Sequence, residues 1–255
     1  MPAFTADDLD RVGVLLRLLI QGAAKVGKTT AAIATAPGPV FIIACDDDSS
    51  LMEAARHRRD FFGERVTIKG PLAEMDNAKI AAKKAIKERG VKTIVIDQFN
   101  AFSDMIADEL EAQYDFNGQG ANGMQLWPAY LKKLTATLNY LFMLPAHVIV
   151  TSLYDDYKQK DADEGIQPML IGKARKLIPA MFRDVVYMVN KREKGEKTIH
   201  RLFLTSLEGV YSGVGARSLS GHITECPADI KEFLRHAEKQ RTADRVKPKS
   251  INNKR

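Results

Sequence analysis

The sequence predicts an α/β domain with a mostly parallel central sheet flanked by helices, a β-rich C-terminal part and a disordered basic tail. Three observations carry that expectation. Four apolar runs are short and nearly continuous, as strands buried on both faces are; helix-like segments lie between them; and a glycine-rich turn stands where the first run gives way to the first helix.

The runs are residues 14–21 (VLLRLLIQ), 39–45 (PVFIIAC), 92–97 (KTIVID) and 147–153 (HVIVTSL), read as four parallel core strands. Residues 28–35 and 73–89 read as crossover helices, the second Ala/Lys-rich and closed by Gly90, which suits a helix C-cap. Residues 99–114 and 128–144 read as two further helices, with Pro128 in the first turn of the second, where its missing N–H costs nothing. The glycine-bearing stretch between them, DFNGQGANGMQLW, reads as a flexible loop. Beyond the fourth strand, YDDYKQKDADEGIQP reads as a mobile loop, and VVYMVNKREKGEKTIHRLFLT as a hairpin turning at Lys194 and Gly195.

A chain of 255 residues, 45% apolar and 27% charged, can bury one substantial core, and no repeat period breaks it up. The net charge of +6 is local. From Lys239 to Arg255 seven basic residues face one acid, Asp244, so this segment carries the whole formal excess. The expected division is therefore a domain over residues 1–238 and a disordered tail over 239–255, the tail either lying along phosphates or serving solubility. The longest apolar stretch is interrupted by Arg17 and is too short to cross a bilayer, and the acidic N-terminus lacks signal-peptide features, so a cytoplasmic protein without membrane contact is expected. Cys45 and Cys226 form neither a metal-ligand spacing nor a disulfide framework.

Gly22, Ala23, Ala24, Lys25, Val26, Gly27, Lys28 and Thr29 fit the pattern G-x-x-x-x-G-K-[ST] of a P-loop, after a strand and at the start of a helix. Glycines let the backbone curl until successive N–H groups face an anion, and the helix dipole points its positive end at the same place. Lys28 is expected to reach the β- and γ-phosphates and the Thr29 hydroxyl to complete Mg²⁺ coordination; Thr30 completes the nucleotide-binding set. ATP and Mg²⁺ are thus the expected cofactors. Asp97 ends the TIVID strand, where a carboxylate holds Mg²⁺ through water or simply caps the strand. Gln98 follows it in place of a glutamate, which disfavours the AAA+ and helicase pattern, and the general base is sought in the acidic run Asp46, Asp47 and Asp48, which equally reads as a turn capping the next helix. Thr151 and Ser152 end the fourth strand, either near the γ-phosphate or as plain strand-end hydroxyls. His147 reads as a strand start and Trp127 as a packing anchor.

The ordered segments LLIQGAAKVGKTT, FIIACDDDSSL, TIVIDQF, LPAHVIVTSL, QPMLIGKARKLIPAMFRDVVYMV and GVGARSL together resemble the phage RecA-like nucleotide-binding proteins, including the Sak-type single-strand annealing ATPases related to the RecA recombinase core. The resemblance spans roughly residues 12–220. It implies a RecA-like P-loop NTPase core that binds ATP between subunits, assembles into a ring or filament, and holds single-stranded DNA through loops matching residues 115–127 and 154–176. It places the water-activating residue at Asp48, one carbon shorter than the glutamate of that pattern. It also makes Arg217, with Lys191 and Arg192, the candidates for a cation completing a neighbour's ATP site.

From the residues themselves, Lys158, Lys160, Lys173, Arg175 and Lys176 are the candidate DNA phosphate contacts, although Asp155, Asp156, Asp161, Asp163 and Glu164 in the same stretch also suit a solvated loop. The expected function is an ATP-hydrolysing, single-stranded DNA-binding protein of phage recombination or replication, with a single-stranded DNA-binding protein or replication factor as a further partner. The competing expectation is an ATP-dependent protein-binding switch such as a helicase loader or packaging factor. A partition-type switch is disfavoured because Ala23 stands where that class carries a second lysine.

Overall fold

The computed structural model describes residues 15–46, 49–115, 123–159, 162–192, 195, 198–206, 214–219 and 223–246. Strands β1 (Arg17–Gly22), β2 (Val40–Ala44), β4 (Thr93–Asp97) and β5 (His147–Ser152) are the four apolar runs. They join β3 (Phe61–Arg65) and β8 (Asp184–Lys191) in a parallel sheet ordered β3-β2-β4-β5-β1-β8. Antiparallel strands then extend it: β9 (His200–Leu204) pairs with β8, β11 (Glu225–Pro227) with β9, and the short β10 (Gly215–Ala216) with β8.

Both faces of the four central strands β2, β4, β5 and β1 are covered, which is why these four are buried almost throughout. Successive residues point to opposite faces. On β2, Phe41 and Ile43 pack with α3 (Pro71–Arg89), α4 (Phe99–Asp115), α5 (Gly123–Phe142) and α6 (Ala174–Ala180). Val40, Ile42 and Ala44 face the opposite core, formed with α1 (Lys28–Ala34), α2 (Ser49–His57) and α7 (Ile230–Val246). Gly90 closes α3 in the left-handed conformation, φ 64°, as the sequence predicts. At the N-terminal edge of the sheet, the Arg17 guanidinium donates to the carbonyls of Ala146 (2.7 Å) and Leu144 (3.3 Å), and His147 Nδ1 accepts the Leu16 N–H at 3.1 Å. His147 is thus a strand-end acceptor; burial, then Arg17, pulls its pKa down.

Several expectations are corrected. The described residues of 154–168 are not a loop: β6 (Tyr154–Gln159) and β7 (Ala162–Pro168) form an antiparallel hairpin. It is held by its own backbone ladder and by Tyr154, whose ring meets Tyr187 edge-on at 5.0 Å, so polar composition does not prevent strand formation there. Helix α5 begins at Gly123, which puts Pro128 inside the helix rather than in its first turn and shortens the expected 115–127 loop from both sides. The tail is not disordered from residue 239: α7 continues to Val246, its Ile230, Phe233, Leu234 and Ala237 anchoring a helix whose later turns are polar. Residues 247–255 lie outside the described residues, as do Lys194 of the expected hairpin turn and 116–122 of the expected loop. No helix among the described residues is long and apolar enough to cross a membrane.

Candidate functional site: the P-loop and its carboxylate

The end of β1 and the start of α1 are joined by a turn whose geometry demands its residue types. Gly27, at φ 101°, is the N-cap of α1, and Lys25 is held at φ 63°, a left-handed conformation uncommon outside glycine. A side chain at Gly22 would approach the Met188 carbonyl oxygen to 2.8 Å. No side chain caps α1, so the free N–H groups of its first turn and its dipole face the cavity beyond.

Lys28 is 4% exposed, and its Nζ donates to the carbonyl oxygens of Gly22 (2.9 Å) and Ala23 (2.7 Å). Burial pulls its pKa down to about 8, opposed by the Asp97 charge. The Thr29 hydroxyl donates to Asp97 Oδ1 at 2.7 Å, and the Thr151 hydroxyl donates to the same oxygen at 2.7 Å. Thr151 Oγ1 in turn accepts the Gln98 N–H at 2.9 Å. Asp97, 1% exposed, is therefore fixed by two hydroxyls from two elements. One hydroxyl beside one carboxylate fits Mg²⁺, which keeps several waters and takes its remaining oxygens from phosphates. A cavity of about 640 Å³ opens over this set, within the range of small-molecule sites and at the C-terminal edge of the parallel strands, where open α/β sheets bind ligands.

Of the predicted nucleotide-binding residues, Ala24, Lys25, Gly27, Lys28, Thr29 and Thr30 line this cavity. Gly22 and Ala23 give their carbonyls to Lys28, and Val26 is buried against α1 and the β1 strand end. In the acidic run, Asp46 lines the cavity, whereas Asp47 and Asp48 lie outside the described residues. Thr151 serves Asp97, and Ser152 donates to the Leu153 carbonyl.

Arg217 is placed away from its own chain's P-loop. It follows Ala216, which pairs with Asp184 at the start of β8, while the P-loop residue Gly22 is level with Met188, roughly 13 Å further along the strand. Arg217 and Arg183 instead flank the buried Asp184, which accepts the Ser218 N–H (2.8 Å) and hydroxyl (2.7 Å) and whose pKa burial nevertheless raises. Lys191 pairs with Glu225 at 3.4 Å, and Arg192 is exposed beside it.

Among the DNA candidates, Lys173 and Lys176 are exposed on or beside α6. Arg175 is partly committed to the fold through the Leu170 carbonyl (2.6 Å) and Asp155 (3.4 Å). Lys158 falls on β6, and Lys160 lies outside the described residues.

Of the cavity residues that sequence reasoning does not assign to the site, Gln98, Asn100 and Arg201 are set apart by their geometry. Gln98 sits at φ 62°, strained where the strand turns into α4. Asn100 accepts the Leu153 N–H through Oδ1 at 3.0 Å, tying α4 to the entry of the β6–β7 hairpin. Arg201 of β9 reaches the P-loop glycine itself. Its signal was the alternation in HRLFL, which puts Arg201 on the face of the buried Phe203.

Among solved structures, a KaiC-like protein from the hyperthermophilic archaeon Pyrococcus horikoshii is similar at 14% identity and a TM-score of 0.37, over 73% of this chain and 77% of that one. No curated protein matches the sequence. The family model described as an AAA domain, AAA_24, matches residues 15–213, the span from β1 through the β8–β9 hairpin that builds the cavity. The chain belongs to this AAA domain family, contrary to the expectation drawn from Gln98, and has the α/β fold of a P-loop NTPase.

Proposed function

We propose that this P-loop domain binds and hydrolyses Mg²⁺-ATP and couples the cycle to its hold on single-stranded DNA, as an annealing or strand-exchange protein of phage recombination or replication. The observation carrying the ATPase part is the pair Thr29 and Asp97, bonded at 2.7 Å beside a buried Lys28 at a helix N-terminus. Phosphates would be held by the α1 N–H groups and Lys28, and the metal ion would supply Lewis-acid stabilisation of the transferred phosphoryl charge.

For DNA, the support is placement. The β6–β7 hairpin leaves β5 directly after Ser152, at the cavity edge, and returns into Lys173 and Lys176. Both lysines can meet phosphates without breaking an ion pair among the described residues. Assembly into a ring or filament would present Arg217, Lys191 and Arg192 to a neighbouring subunit. One observation favours the alternative, an ATP-dependent protein-binding switch: Met169 and Leu177, beside these lysines, are 50% and 46% exposed.

Fluorescence titration of labelled oligonucleotides with and without Mg²⁺-ATP, at several salt concentrations, tests the reading. Nucleotide-dependent, salt-sensitive binding that Lys173→Glu/Lys176→Glu weakens at least tenfold is expected. Nucleotide binding without any oligonucleotide binding would shift the assignment to the protein-binding switch, with Met169→Ser/Leu177→Ser as its probe.

A further inference from the structure

We infer that Arg201 is a phosphate-binding cation of the chain's own ATP site, supplied in cis by the β8–β9 hairpin; the inference rests on the ATPase reading above. The register explains how a residue two strands from β1 reaches it. Gly22 of β1 is level with Met188 of β8, Met188 pairs with Phe203 of β9, and Asn190 pairs with Arg201. Arg201 therefore lies one pleat beyond the end of β1, on the same face as Phe203, which packs in the core containing Val26, Ala31 and Ile33. That is the face on which α1 and the P-loop sit. The Ala228 N–H donates to the Arg201 carbonyl at 2.9 Å, so β9 is pinned from its other side as well.

The guanidinium lies against the glycine before Lys28. A Cβ built on Gly27 would stand 3.1 Å from Arg201 Cζ, 3.2 Å from Nε and 3.3 Å from Nη1. Gly27 thus lacks a side chain for two reasons, its φ of 101° and the arginine above it. Arg201 lines the same cavity as Lys28, Thr29, Asp46 and Gln98, and it forms no ion pair with a carboxylate among the described residues. A guanidinium with no carboxylate partner among the described residues, beside the N-terminus of α1 and a buried lysine, concentrates positive charge at Gly27 that a polyphosphate neutralises.

In hydrolysis, the oxygen of water bonds to the γ-phosphorus while the bond from that phosphorus to the β,γ-bridging oxygen breaks. The electron pair leaves with ADP, and the water proton passes to inorganic phosphate or solvent. Negative charge shifts onto oxygens within reach of Lys28 and Arg201, and a fixed fork of N–H donors there stabilises the charge as it develops. Arg201 gives the role expected of a neighbour's Arg217 to a residue of the same chain.

The test compares wild type, Arg201→Ala and Arg201→Lys, first for binding of ATP and of ATPγS, then for turnover, with circular dichroism and thermal melts to establish folding. The expected result is a fall in kcat of about 100-fold or more for Arg201→Ala, with nucleotide affinity lowered no more than about tenfold, and only partial recovery in Arg201→Lys because the bidentate fork is lost. Equal mixtures of Arg201→Ala and Lys28→Ala chains should remain inactive, since neither chain has a complete site. Recovery of activity in the mixture would show that Arg201 acts on a neighbour and would overturn the cis assignment. Unchanged turnover in a folded Arg201→Ala protein overturns the inference alone, whereas wild-type protein that binds no nucleotide overturns the ATPase reading and this inference with it.

Discussion

Replacing Lys28 by Met removes a buried ammonium while keeping most of the side-chain volume, and its effect on stability is set by pH. The unfolded chain holds this amine at about the ordinary value of 10.5, whereas burial in the P-loop lowers it to about 8. Between those values the unfolded state binds more protons than the folded state, so wild-type stability rises with pH across that window. Folding carries the full penalty of the buried charge below pH 8 and loses it as pH approaches 10.5. Integrated from pH 7 to pH 10, the gain of wild type over Lys28→Met is about 2–3 kcal/mol. Urea unfolding of both proteins at pH 7, 8, 9 and 10 without nucleotide measures it, the difference between the two cancelling every other titrating group. A difference constant within about 0.5 kcal/mol over that range would refute the reasoning. A polyphosphate beside Lys28 restores the charged form, so nucleotide binding at pH 8.5 should take up protons in wild type but not in Lys28→Met, visible as a buffer-dependent calorimetric enthalpy.

Thr151→Val keeps the shape but strands the Gln98 N–H and removes one donor from Asp97, and it should cost about 2–4 kcal/mol in urea unfolding and weaken Mg²⁺-dependent nucleotide binding; Thr151→Ser should keep most of both, and an unperturbed valine variant would contradict the hydrogen-bond chain. Truncation after Val246 spares helix α7 and removes Lys247, Lys249, Lys254 and Arg255, so the slope of log affinity against log salt for single strands should become shallower by up to about 3, and an unchanged slope would exclude the tail from the phosphate contacts.

What could be read in the sequence was what local pattern determines. TIVID and PVFIIAC announce buried parallel strands because both faces need apolar side chains, and the P-loop is written in eight consecutive residues. FFGER gave no such signal: β3 is an edge strand, half to fully exposed, and its Gly63 approaches β2 so closely that a Cβ would collide with the Ile42 carbonyl. The β6–β7 pairing rests on backbone bonds, the Tyr154–Tyr187 ring contact and the Asp155–Arg175 ion pair, which polar composition conceals. Asp97 was legible as a strand-end acid, but its bonds to Thr29 and Thr151 come from sequence separations of 68 and 54 residues. The alternation in HRLFL puts Arg201 on the face of Phe203, but that this face meets the P-loop depends on the registers of two successive strand pairs, which local pattern does not carry.

The order of the sheet has a metric consequence. Strand β1, which leads into the P-loop, and strand β4, which ends in Asp97, are not neighbours; β5 lies between them and pairs with both. Two interstrand steps of about 4.8 Å separate β1 from β4 by close to 10 Å. Thr151, at the end of the intervening strand, bonds to the Asp97 carboxylate and to the Gln98 N–H that leaves β4, and Thr29 meets the same carboxylate oxygen from the P-loop side. The spacing between the strand that leads into the P-loop and the strand that ends in Asp97 is therefore a property of backbone pairing in the sheet, and the 23–27 turn only has to carry Lys28 from the end of the first to the side of the second.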